Sequence, residues 1–141
     1  MLGAIPPLVG MLDSPDIDFQ ISALYALLIL GIGNDLNKVA VVKAGAVHKM
    51  LSLIELGSSL LVSEAIIVNF LGLTALDSNK PIIGSSGAIP FLVGAFKNPS
   101  ATARGGGSSQ ARHDALQALF NLSIAAANTP TSSMPTSSPA S

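Results

Sequence analysis

His48 and His113 are the only histidines in a chain of 141 residues that has no cysteine. A histidine can act as a general base or hold a metal ion. These two stand 65 residues apart, and neither has a helix-spaced histidine or carboxylate to form a ligand pair. His113 and Asp114 are adjacent, so on a helix they point to different sides. Both histidines read as exposed or capping residues. Asp13, Asp16 and Asp18 gather around a Ser-Pro turn. A calcium loop would also need glycine at its sixth position and a distal glutamate, and both are missing. The three aspartates fit the N-terminal cap and first turn of a helix, where negative charge is favoured. Arg104-Gly105-Gly106-Gly107 is glycine-rich but lacks the Gly-Lys-Ser/Thr of a phosphate loop, and it reads as a flexible surface loop. Asn121-Leu122-Ser123 matches a glycosylation sequon, yet it falls within a helical pattern in a chain without a secretion signal at its start. No Gly-x-Ser-x-Gly elbow and no cysteine nucleophile are present. The expectation is a protein that is not an enzyme and takes no cofactor and no metal.

Composition narrows the partners. Apolar residues make up 49% of the chain and charged residues 11%, with a net charge of −1. That is too apolar for disorder over most of the length. It gives no reason to expect nucleic acid or an anionic membrane as partner. The longest apolar stretch, residues 21–33, is shorter than the roughly 20 residues a bilayer span needs, so membrane insertion is not expected. A cytoplasmic or nuclear location fits the absence of cysteine.

The elements that position any functional residue follow from an internal repeat. Gly3-Ala4-Ile5, Gly45-Ala46-Val47 and Gly87-Ala88-Ile89 recur with an offset of 42 residues each time. Between residues 3–12 and residues 87–96, seven of ten positions are identical. Asn37-Lys38 and Asn79-Lys80 form a second landmark, each eight residues before the next repeat's glycine. In the third copy only Asn128 remains, at the end of a repeat about seven residues longer than the others. A period of this length without strand punctuation marks a helical solenoid. Chains of that kind bind partners along a concave surface.

Each repeat reads as a short helix, then a long one, with a small helix linking to the next repeat. Pro6 and Pro90 suit the first turn of a helix, where the missing N–H has no intrahelical partner. The opening glycines read as left-handed stops for the preceding helix. The stretch 38–44 reads as a linking helix capped by Asn37. Residues 79–86 serve the same purpose less well, weakened by Pro81, Gly84, Ser85 and Ser86. The long helices are expected at about 16–33, 59–75 and 109–127. Residues 23–30 are apolar all round, as for a helix buried on most sides. In the last long helix Leu116, Leu119, Phe120 and Leu122 are expected to point inward, with Gln117 and Asn121 one turn apart on another face.

The order Gly-Ala-Ile-Pro, then Ala-x-x-Ala-Leu-x-Asn-Leu-Ser from Ala115 to Ser123, then Asn-Lys before the next Gly-Ala, resembles the armadillo repeat. The likeness covers residues 3–128. It is nearest to the armadillo region of plant U-box ubiquitin ligases, in which the repeats bind substrates or regulators and a separate U-box recruits the conjugating enzyme. No U-box-like segment is read in this chain. The resemblance implies an all-α, right-handed α-α superhelix of about three repeats, at about 3–44, 45–86 and 87–128. A flexible insertion falls at about 98–109, and residues 128–141 read as a disordered Ser/Thr/Pro tail. Thr129-Pro130 and Ser138-Pro139 in that tail are candidate sites for a proline-directed kinase. Importin-type armadillo proteins resemble one another through a ladder of tryptophan and asparagine one turn apart. The matching pairs here would be Tyr25/Ile29, Val68/Gly72 and Gln117/Asn121, and the chain has no tryptophan. A basic nuclear-import peptide is therefore not expected as ligand.

The implied function is recognition of an extended segment of a partner protein along the long helices. A ubiquitination substrate or a receptor kinase is the partner the likeness implies; a free-standing scaffold, or a fragment of a larger armadillo protein, is the alternative. Asn121 leads the candidate groove residues, because its amide can bond the backbone of an extended peptide. It can equally fix a neighbouring segment of the stack, and both roles stay open. Tyr25, Asn69, Asp114 and Gln117 join it only by position on the long helices. The first repeat has no leading small helix, so its apolar edge is expected to be unprotected, with self-association through the uncapped ends.

Overall fold

The computed structural model describes residues 2–57, 59–97 and 108–127. The loop Arg104-Gly105-Gly106-Gly107, most of the insertion expected at 98–109, and the tail 128–141 with its Ser/Thr-Pro pairs lie outside the described residues. Eight α-helices and two short 3-10 turns account for nearly all of the rest, and no strand occurs among the described residues. The helices are α1 (Ile5–Met11), α2 (Ile17–Gly31), α3 (Asp35–Lys43), α4 (Ala46–Glu55), α5 (Leu60–Thr74), α6 (Lys80–Gly84), α7 (Ala88–Lys97) and α8 (Ser108–Ala127).

They stack as three layers. The first holds α1 and α2, the second α3, α4 and α5, and the third α6, α7 and α8. The long helices pack in series, α2 on α5 and α5 on α8, while α1 packs on α2 and α7 on α8. Such an all-α stack is the solenoid that the 42-residue period implies.

Local chemistry sets the boundaries. Asp16 caps α2, its carboxylate accepting from the N–H groups of Asp18 and Phe19. Ser59 caps α5 by accepting from Val62 N–H. Each such cap is worth about 1 kcal/mol. Gly45 and Gly87 have φ of +88° and +99°, the left-handed region open to glycine. They turn the chain sharply into α4 and α7. Gly3, the opening glycine of the first repeat, instead sits in a 3-10 turn, Leu2–Ala4, with no described helix before it to stop.

Asn37 does not cap the linking helix, as its place in the sequence suggested. Asn34 caps α3, accepting from Asn37 N–H at 2.9 Å. Asn37 is buried, and its side-chain amide donates to the Leu30 carbonyl at 2.7 Å. Asn79 repeats this one layer on, donating to Leu73 O at 3.2 Å and to Lys38 O at 3.3 Å. Leu30 and Leu73 occupy equivalent places in the last turn of their long helices, where carbonyls have no intrahelical donor. The Asn-Lys landmark thus marks a helix C-terminus sealed by a side chain that folds back.

Two burial expectations need correction. The long helix buried on most sides is α5, not α2. Ile66, Ile67 and Phe70 of α5 are fully buried between α2 and α8, and Phe70 meets Phe91 edge-to-face with centroids 6.1 Å apart. In α2, by contrast, Tyr25 and Ile29 are exposed on the face the long helices share, and Phe19 is exposed because α2 lies in an end layer. The same cause acts on α8. Its alanines Ala111, Ala115 and Ala118 are buried with Leu122, while Leu116 and Phe120 are 48% and 58% exposed.

Replacing Asn79 with alanine should remove the two hydrogen bonds its amide donates to Leu73 O and Lys38 O. A hydrogen bond of this kind contributes about 0.5–1.5 kcal/mol. The midpoint of urea unfolding is expected to fall accordingly, with little change in slope. An unchanged midpoint would show that the amide does not hold the layers.

Candidate functional site

The long helices bring their side chains to one shared face. On α8, Gln110, Asp114, Gln117 and Asn121 recur at helical spacing and form one stripe. On α5, Glu64, Val68 and Gly72 are each one turn apart, and on α2 Tyr25 and Ile29 are likewise. At one end of this face Tyr25, Glu64, Val68, Gln110, Ala111 and Asp114 line a cleft of about 280 Å³ contributed by all three helices.

The expected site residues divide into three groups. Tyr25 and Asp114 meet at the cleft. Tyr25 is 43% exposed. Asp114 is 8% exposed and accepts from Gln110 Nε2 at 2.8 Å. Gln117 and Asn121 form a second pair farther along α8, with Gln117 Nε2 donating to Asn121 Oδ1 at 3.4 Å. Asn121 in turn donates to the Thr74 hydroxyl at 3.2 Å, and that hydroxyl donates to Phe70 O at 2.7 Å. Asn121 therefore ties α8 to α5 while remaining partly exposed. Asn69 stands apart: it is 1% exposed, and its amide donates to Leu24 O at 3.0 Å and Ala65 O at 2.9 Å. It lies between α5 and α2, beneath the face, and works inside the stack.

Glu64 and Gln110 are functional candidates that sequence reasoning missed. Glu64 stands one turn before Val68, a position already matched to Tyr25, so the α5 stripe itself pointed to it. One carboxylate oxygen of Glu64, Oε2, is buried and has no hydrogen-bond partner among the described residues. Burial pushes its carboxyl above the ordinary glutamate value of 4.5 by penalising the charged form. Among the described residues no three histidine, aspartate or glutamate side chains gather to hold a metal ion. No single described helix is long and apolar enough to cross a membrane; α5 and the following Asp77–Gly84 reach the length together but bend by 116°.

Comparison with known proteins places this chain beside long plant proteins. It is 34% identical to U-box domain-containing protein 7 of Arabidopsis thaliana over 111 residues, 79% of this chain. Against U-box domain-containing protein 6 of the same plant it is 32% identical over 112 residues, and against protein 12 it is 30% identical over 104. Its relatives are plant U-box domain-containing proteins. The match spans only 13% of the length of proteins 7 and 6 and 15% of protein 12. No family model and no solved structure matches the chain.

Glu64 supplies a pH test. Its folded-state pKa lies above the unfolded value, so the folded protein holds the proton more tightly. Stability from this group is fully present below 4.5 and is lost as pH rises through the raised folded value. Glu64→Gln should remove that loss, leaving the variant more stable than the parent at neutral pH and little different at pH 4. Parallel melting curves for both proteins across that range would refute the burial of the charge.

Proposed function

We propose that the three layers are armadillo repeats and that the face of α2, α5 and α8 binds an extended segment of a partner protein. The module has no chemistry of its own in this reading. It serves as the substrate-recognition part of a ubiquitin-ligase pathway in the cytoplasm or nucleus, with a ubiquitination substrate or a receptor kinase as partner. The observation that carries the reading is the meeting of three successive long helices at one cleft, with the amide pair Gln117 and Asn121 continuing the same face. An extended backbone offers alternating N–H and C=O groups, and side-chain amides answer both. The U-box relatives support the pathway.

The ends of the stack offer a second kind of contact. Phe19 on α2 and Leu116 and Phe120 on α8 are exposed where a further layer would cover them. Copies of the chain associate there, head to tail.

Pull-down from native extract tests the groove. Tyr25→Ala with Asn121→Ala should reduce recovery of the bound partner about tenfold, the effect of losing roughly 1.4 kcal/mol of interface energy. Recovery unchanged in the double variant would remove the groove assignment.

A further inference from the structure

Farther along the same face, at the C-terminal ends of α2 and α5, lies a second cavity of about 280 Å³. Two glycines line it. Gly72, one turn after Val68, leaves the α5 wall without a side chain, and a Cβ there would stand 3.4 Å from Leu28 Cδ1. Gly31 lets the stem of Lys38 lie close to α2, so that Lys38 Cγ is 3.4 Å from where a Cβ would be. Leu28, Leu71 and Leu73 supply apolar wall, and Ile32, 68% exposed, forms the rim. An apolar cavity of about 150 Å³ admits benzene, so one leucine side chain has room here. Lys38 is the charged residue of the lining. Its backbone is fixed, because Lys38 O accepts from Asn79 Nδ2 at 3.3 Å. The equivalent lysine of the next layer, Lys80, pairs with Asp77 three residues before it. Asp35 stands at the matching place before Lys38. Lys38 nevertheless forms no ion pair among the described residues, and it is half-buried in the cavity wall instead. A lysine ammonium is a compact cation on a flexible stem, and a carboxylate is its strongest hydrogen-bonding partner. Apolar walls with one such cation are complementary to an apolar group that carries a carboxylate beside it.

We propose that this cavity receives a leucine-sized apolar side chain of the extended partner segment, and that Lys38 pairs with an acidic residue next to it in that segment. The inference rests on the groove reading and adds a specificity element to it. Gly72 and Leu28 admit the apolar side chain, and Lys38 selects the charge. Asn121, on the same face, holds backbone farther along.

The test uses the full chain, isotope-labelled, titrated with blocked peptides and followed by amide chemical shifts. The peptide Ser-Ser-Leu-Glu-Ser-Ser is compared with one in which serine replaces the leucine and one in which glutamine replaces the glutamate. The leucine–glutamate peptide is expected to shift the signals of Gly31, Lys38 and Gly72. It should bind about tenfold more tightly than either control, the scale of one buried apolar side chain or one charged hydrogen bond. Lys38→Met keeps the stem against Gly31 and removes the charge. It should abolish the preference for glutamate over glutamine and keep the preference for leucine over serine. Gly72→Leu fills the cavity from the α5 wall and should weaken the leucine peptide. Its melting temperature should not fall, because leucine favours a helix over glycine. Equal binding of all three peptides, lost on Asn121→Ala, would overturn the pocket and leave the groove standing. A glutamate preference that survives Lys38→Met would also overturn it. Octanoate that shifts Gly31 and Gly72 and binds as tightly as the peptide would replace the protein segment with a small acid. Tighter peptide binding in Met134→Ser would assign the cavity to the chain's own C-terminal residues, and either result overturns the proposal. No shifts on α2, α5 or α8 with any peptide would sink both readings.

Discussion

A helix that buries side chains on more than one side must lie between two others, and α5 is that helix. Ile66 and Phe70, one turn apart, share one side and Ile67 lies on another, and all three are fully buried. Each such side chain contributes roughly 1.5–3 kcal/mol on leaving water, so the three together rival the whole stability of a typical small domain, about 5–15 kcal/mol. The stack needs a layer on each side of α5 for this reason. Contacts run between successive layers, so every layer depends on its neighbours and the end layers have one neighbour fewer.

The same packing creates the candidate site. Because α2, α5 and α8 lie in series, residues at equivalent positions on each come into line. The seams between them are held by side-chain amides as well as by apolar contact. Asn69 joins α5 to the Leu24 carbonyl of α2, Asn121 joins α8 to Thr74, and Asn79 joins the third layer to Lys38 of α3. Apolar faces can slide past one another at little cost, whereas a directional bond to one carbonyl sets the register. The cleft at Tyr25, Glu64 and Asp114 exists only when that register is kept. One oxygen of Glu64 is buried there without a hydrogen-bond partner among the described residues, which disfavours its charged form.

The repeat, the helix order and the long helices were all legible from spacing and turn chemistry. The left-handed glycines at 45 and 87 and the cap at Asp16 needed only local rules. The asparagines were harder. Asn37 looked like a helix cap because caps are the commonest local use of the residue, yet its partner is a carbonyl in the preceding helix. Asn69 looked like a groove residue because its helix was placed correctly but not its rotation. Glu64 was passed over because a lone glutamate on a helix is ordinarily a solvated charge, and nothing short of the neighbouring helices shows that one of its oxygens is dry.

By itself, then, the order of residues determined that the chain is helical, that it repeats every 42 positions, and where most helices start and stop. These are consequences of interactions within a few residues of chain. Only the tertiary structure decided which apolar side chains are covered, which asparagines are spent on the stack, and which side chains line the cleft between the long helices. Those outcomes depend on layer order and on the rotation of each helix about its axis, and both are set by neighbours about forty residues away.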